Sequence, residues 1–243
     1  MQNAEFNAGV IKPIECVKEA FEIIKPDYWI LFAISLVGAL IAGISMYVLI
    51  GAMVCGIFYC YLKRIDGGRV QFEDLWIGFK FFWQSVLVAV AIFVPIIIWT
   101  VFLFVSIYLP IIMAAIAGKK GNDTAVFGSL IVVFIVDVLV AIVMICIHTL
   151  LMFSFPLIVD RGMTSWEAMK LSARAVMKNL GGIGGLMGLN FCLVLVSYAA
   201  CFVGLYFMIP IITASSIVAY RKVFPSTGVR NFDPPPPTAY SGL

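Results

Sequence analysis

Charge is what this sequence has least of. Aspartate, glutamate, lysine and arginine make up 12% of its 243 residues against 63% hydrophobic ones, and the mean hydropathy is +1.09. A water-soluble domain carries about twice that charged fraction. Histidine occurs once, as His148, which excludes bis-histidine haem and any His-rich metal site. The six cysteines, Cys16, Cys55, Cys60, Cys146, Cys192 and Cys201, include no C-x-x-C pair, and five of them sit in apolar runs. They read as small apolar residues, not as zinc or iron–sulfur ligands or a disulfide framework. The serine-hydrolase G-x-S-x-G, the zincin H-E-x-x-H and the P-loop are all missing. No catalytic apparatus, cofactor, metal or nucleic-acid partner is therefore expected.

What is present is four long apolar runs, residues 28–62, 81–118, 124–159 and 179–220, interrupted only by Asp137 and His148. A crossing of a hydrocarbon core about 30 Å thick needs about 20 helical residues, so each run exceeds one span. Lysine and arginine flank the runs in clusters: Lys12, Lys18 and Lys25; Lys63, Arg64, Arg69 and Lys80; Arg161, Lys170, Arg174 and Lys178; Arg221, Lys222 and Arg230. Cytoplasmic flanks are enriched in these residues, so the four clusters belong on one side. Runs one and four then become hairpins, and runs two and three cross once each around Lys119-Lys120. The predicted fold is an all-α polytopic bundle of six crossings, residues 1–224, with both termini cytoplasmic and no secretory signal peptide.

Amphipathic segments precede the runs. In residues 10–25, Val10, Ile14, Val17, Phe21 and Ile24 form one helical stripe, with Pro13 in the first turn, Pro26 at the end and Tyr28-Trp29 at aromatic-belt depth. Thr164-x-x-Glu167 is a capping-box pattern opening a second helix. Its basic face, Lys170, Arg174 and Lys178, reads first as a snorkelling flank that fixes topology and second as a candidate contact for lipid headgroups, with Trp166, Met169, Ala173 and Val176 on the other side. A third stretch, 72–82, enters run two in the same manner. The first and second helices each lead to a run ending in a basic pair, Lys63-Arg64 or Arg221-Lys222, which suggests an internal repeat. Small residues four apart, Ala39 and Gly43, Gly181 and Gly185, Gly184 and Gly188, predict close helix packing. The tail, 225–243, differs in kind: its Pro234-Pro235-Pro236-Pro237 run between Phe232 and Tyr240 predicts an extended docking strip for a partner protein.

Phe155-Pro156-Leu157-Ile158-Val159-Asp160-Arg161-Gly162 is followed by Ser165-Trp166-Glu167-Ala168-Met169-Lys170-Leu171-Ser172, and Asp74-Leu75-Trp76-Ile77-Gly78-Phe79-Lys80 fits the same pattern. Over residues 10–224 the chain thereby resembles a broad group of bacterial six-helix membrane proteins. The group includes the uncharacterised YciC-like inner-membrane proteins and the membrane domain attached to some glycerophosphodiester phosphodiesterases. The resemblance implies the fold, the topology and a bacterial inner-membrane location. It implies no activity, because its motifs have no assigned catalytic residues and the phosphodiesterase domain is not in this sequence.

Asp137 is the sole acid inside an apolar run, where an ionised carboxylate costs about 2.5–3.5 kcal/mol. It is expected to be neutral or hydrogen-bonded in the bundle, with Asn190 or Ser197 as partner, or to serve as a proton or cation site. Replacement by leucine is expected to cost more than replacement by asparagine. His148 lies on the same helix face roughly 16 Å farther along, and reads as a structural hydrogen bond; a single axial ligand to a haem or pigment is its other reading. The composite expectation is a non-catalytic accessory or scaffold subunit of a membrane assembly, partnered by lipids and proteins. The alternative is a small-solute, ion or lipid transporter using Asp137.

Overall fold

The computed structural model describes residues 6–45, 48–117, 123–199 and 203–226. Among them the regular elements are all helical: α1 (Pro13–Ile24), α2 (Tyr28–Ile44), α3 (Ile50–Ile65), α4 (Phe82–Ala117), α5 (Asp123–Leu151), α6 (Ser154–Arg161), α7 (Ser165–Lys178), α8 (Leu180–Ala199) and α9 (Val203–Val223). Two 3-10 segments, Lys25–Asp27 and Phe72–Phe81, lead into α2 and α4. The turn containing Lys119-Lys120 lies outside the described residues, as do Phe232, Pro234, Pro235, Pro236, Pro237 and Tyr240 of the tail.

Five helical stretches, Pro13–Ile44, Phe72–Ile112, Leu130–Arg161, Leu180–Tyr198 and Gly204–Val223, are long and apolar enough to cross a membrane. The sixth member of the expected set, α3, has 16 residues and spans only about 24 Å. Most of α3 is buried in protein, including Met53, Cys55, Cys60, Tyr61 and Leu62. Burial inside protein relieves a helix of the length requirement that lipid imposes. The expected single helix over run three is interrupted after Leu151. Ser172 of α7 stitches that break, accepting from the Phe153 N–H at 3.1 Å and donating to the Leu150 carbonyl at 2.6 Å. α6 then ends on Gly162, whose left-handed backbone (φ 61°) returns an N–H to Ile158 at 3.0 Å.

The packing is cyclic. Each short segment lies against the helix that closes the preceding hairpin: α1 on α9, the 3-10 helix on α3, and α7 on α5 and α6. The hairpins themselves are α2–α3, α4–α5 and α8–α9. Their packed core lies toward one end, where Tyr61, Leu75, Phe153, Leu157, Ala175, Leu186, Tyr220 and Phe224 are buried together. Away from that end the helices expose large apolar side chains along their length, as lipid-facing surfaces do.

The short segments bury small residues beside a few large ones, and expose other large apolar residues. In α1, Cys16 and Ala20 are buried with Ile24 of the expected stripe, while Ile14 and Phe21 of that stripe face outward. In α7 the buried set is Ala168, Met169, Leu171, Ser172, Ala175 and Val176. Trp166, assigned from sequence to the side opposite the basic residues, is exposed instead. The closest approach is made by the 3-10 helix. A Cβ on Gly78 would lie 2.1 Å from the Ala52 carbonyl oxygen and 2.5 Å from the Gly56 nitrogen, and one on Gly56 would lie 2.1 Å from the Leu75 oxygen. Of the glycines expected to pack closely, Gly43, Gly181, Gly184 and Gly188 face open space, and Gly185 meets only the Pro13 ring.

Gly78→Ala forces backbone apart from backbone and is expected to destabilise the protein by about 1–3 kcal/mol or more. Gly181→Ala adds a methyl to open space within α8 and is expected to stabilise by about 0.5–1 kcal/mol. Thermal unfolding in detergent compares the two; equal or reversed effects contradict the packing described.

Candidate functional site

The charged end of the bundle is built from residues that close helices. Lys63 and Arg64 end α3, Arg161 ends α6, and Arg221 and Lys222 end α9, where cations oppose the negative end of the helix dipole. Arg221 joins all three helices. Its Nε and Nη2 donate to Asp66 at 2.8 and 2.6 Å, and its Nη1 and Nη2 donate to Asp160 at 2.7 and 2.8 Å. The Tyr220 hydroxyl donates to Asp160 at 2.8 Å. A planar guanidinium can serve two carboxylates in this way because its five donors are fixed in a fork.

Further pairs surround this one. Lys63 contacts both oxygens of the buried Asp74, which also accepts from the Gln71 N–H in a capping box at the head of the 3-10 helix. Arg64 pairs with Asp27 at 3.1 Å and donates to the Ile23 carbonyl, and Lys222 pairs with Glu19 at 2.8 Å. The segment before α1 is tied to the same end: the Asn7 N–H donates to Val223, and the Asn179 side chain accepts from the Gly9 N–H and donates to the Asn7 carbonyl. The ends of α3, α6 and α9 and the segment around Asn7 and Gly9 thus meet at one end of the molecule. The capping box expected at Thr164 takes another form: the Thr164 hydroxyl donates to Glu167 at 2.9 Å and caps no backbone N–H.

The three intramembrane candidates do not converge. Asp137 faces α4, where Ser106 Oγ lies 3.4 Å from its Oδ2; its Oδ1 is covered and unpaired. The expected partners Asn190 and Ser197 are engaged elsewhere. Ser215 of α9 donates to Asn190 at 3.2 Å, and Ser197 donates to the Leu193 carbonyl. His148 Nδ1 lies 2.7 Å from the Met144 carbonyl, which can only accept, so this nitrogen carries the proton. His148 Nε2 is covered and without a partner.

The α7 candidates share one exposed face. Lys170, Arg174 and Lys178 are all exposed, and the Lys170 ammonium sits 4.9 Å from the centre of the Trp166 ring. Among the described residues no cluster of three His, Cys, Asp or Glu side chains could hold a metal ion. Cys16, Cys55 and Cys60 are buried free thiols, and Cys146 and Cys192 are exposed ones. A groove of about 420 Å³ beside α4, lined by residues such as Ile50, Phe82, Trp83, Val90 and Ile97, offers mainly apolar walls.

The Ser106 hydroxyl has one proton and two nearby acceptors, the Leu103 carbonyl at 3.0 Å and Asp137 at 3.4 Å. Asp137→Asn supplies its own donor, and Asp137→Leu leaves the Ser106–Leu103 bond in place, so neither strands a donor. The sequence-based ranking of leucine below asparagine is therefore replaced. Both variants are expected to unfold within about 1 kcal/mol of the wild type, a margin below the usual cost of a stranded polar group. A leucine variant that fails to insert or unfolds far earlier contradicts this.

No family model, no curated protein and no solved structure matches the chain.

Proposed function

We propose that the chain is a non-catalytic scaffold or accessory subunit of a larger assembly in a bacterial inner membrane, with its charged end in the cytoplasm. The observation that carries this reading is the α4–α5 hairpin. Its two long helices pack on each other, α4 also meeting α3, α6 and α7 and α5 also meeting α7, and the most apolar window of Leu130–Arg161 has none of its residues buried. Large side chains, among them Val101, Phe104, Tyr108, Phe134 and Leu139, face outward on it. Phe104 and Tyr108 stack at 5.5 Å to form a flat aromatic step. Lipid can cover such a surface, and so can the transmembrane helices of a partner. The second support is the Pro-rich tail, because four prolines have already lost most of the backbone freedom that docking costs. The clustering of Lys and Arg at the charged end supports its cytoplasmic placement.

A second reading, cation-coupled transport, rests on Asp137. A covered carboxylate oxygen with no partner is a cost that packing does not require.

Isolation from the native membrane in mild detergent, followed by native mass measurement, separates the readings. The scaffold reading expects a stoichiometric assembly heavier than the 26.7 kDa chain. Phe104→Ala/Tyr108→Ala or removal of residues 227–243 should release partners without lowering the chain's own unfolding temperature. A lone chain that drives cation flux in liposomes, lost in Asp137→Asn, would reject the scaffold reading in favour of transport.

A further inference from the structure

α7 carries a surface that the scaffold reading leaves unused. Lys12, Lys63, Arg64, Arg221 and Lys222 each have a carboxylate partner. Lys170, Arg174 and Lys178 have none among the described residues, and all three are exposed on one helix. Glu167, the acid nearest them in α7, is held by the Thr164 hydroxyl at 2.9 Å. The opposite side of α7 is buried against α5 and α6, and Ser172 is bonded on both sides of the α5–α6 break. The helix cannot roll its cations inward without breaking those bonds.

The same free side shows large apolar groups. Trp166 is 62% exposed and Met177 is 59% exposed. Four-residue steps place the three cations along about 12 Å of helix axis, with Trp166 at one end and Met177 at the other. We infer that this face of α7 is a docking surface for the anionic phospholipid headgroups of the bilayer that holds the protein. Charge complementarity selects an anionic occupant, and the apolar residues select a bilayer over a soluble acidic protein, which would leave the indole and thioether in water. Tryptophan is at home at headgroup depth, where phosphates also lie. Arg174 offers a bidentate fork to a phosphate, and the two lysines offer point charges on flexible stems that reach past the apolar layer.

The test is lipid retention by the full-length chain. The protein is reconstituted into an equimolar mixture of phosphatidylcholine and phosphatidylglycerol, released, and its bound lipids are counted by native mass spectrometry. The wild type should retain phosphatidylglycerol preferentially, and each α7 cation removed should lower that preference by roughly fivefold at low salt. Lys170→Gln/Arg174→Gln/Lys178→Gln should bring it near parity, while the matched α1 variant Lys12→Gln/Lys18→Gln/Lys25→Gln should keep it. If the triple α7 variant does not fold, Arg174→Gln alone carries the comparison. Equal retention of the two lipids by the wild type, or a preference that survives loss of the α7 charges, overturns the inference.

Discussion

One guanidinium holds three helix ends together. Arg221 closes α9 and makes two hydrogen bonds each to Asp66, just beyond α3, and Asp160, within the last turn of α6. The Arg221 side chain and both carboxylates are largely shielded from solvent. Ion pairs in such places add little net stability compared with well-packed apolar residues, because the charges must give up their hydration. Their effect is on arrangement: with Arg221 misplaced, two neighbouring acids lose their counter-charge. That penalty couples the three hairpins, which otherwise meet through apolar surfaces that slide easily.

From this end the rest follows. Each short segment returns along the helix that closes the hairpin before it, and the return is tightest where side chains are smallest, at Gly78 against Ala52 and Gly56. Because the core is concentrated there, the outer portions of α4 and α5 are left with each other and their surroundings. A soluble protein could not leave so much apolar surface open, but in a bilayer lipid tails solvate it. The result is a locked charged end, a projecting apolar hairpin, and a basic face on α7.

Much of this was legible in the residues. The lysine and arginine clusters located the ends that meet, and placing them on one side made runs one and four hairpins and left runs two and three to cross once each. The ion partners were also in view, since Asp66 and Asp160 stand within two residues of Arg64 and Arg161. Only the neighbouring lysines and arginines mark topology in the sequence, and these acids stay unassigned there, because pairing between distant helix ends leaves no local period. Which sides of α1 and α7 pack on protein was not marked by their large apolar residues. Cys16, Ala20, Ala168, Ser172 and Ala175 are inside together with Ile24, Met169 and Leu171, while Ile14, Phe21 and Trp166 are out. In a membrane protein large side chains are already solvated by lipid, so small ones gain most from close contact. The partner of Asp137 was beyond reach because the α4–α5 register sets it, and no pattern within either helix encodes that register.

The most direct test of the account is a thermodynamic cycle on Arg221. Arg221→Met should destabilise the protein by about 3–5 kcal/mol in detergent, because it leaves Asp66 and Asp160 close together and unpaired. Adding Asp66→Asn and Asp160→Asn should recover most of that loss, giving a coupling well above the roughly 0.3–0.5 kcal/mol scatter of independent sites. If the three substitutions instead add without coupling, Arg221 does not organise the fold.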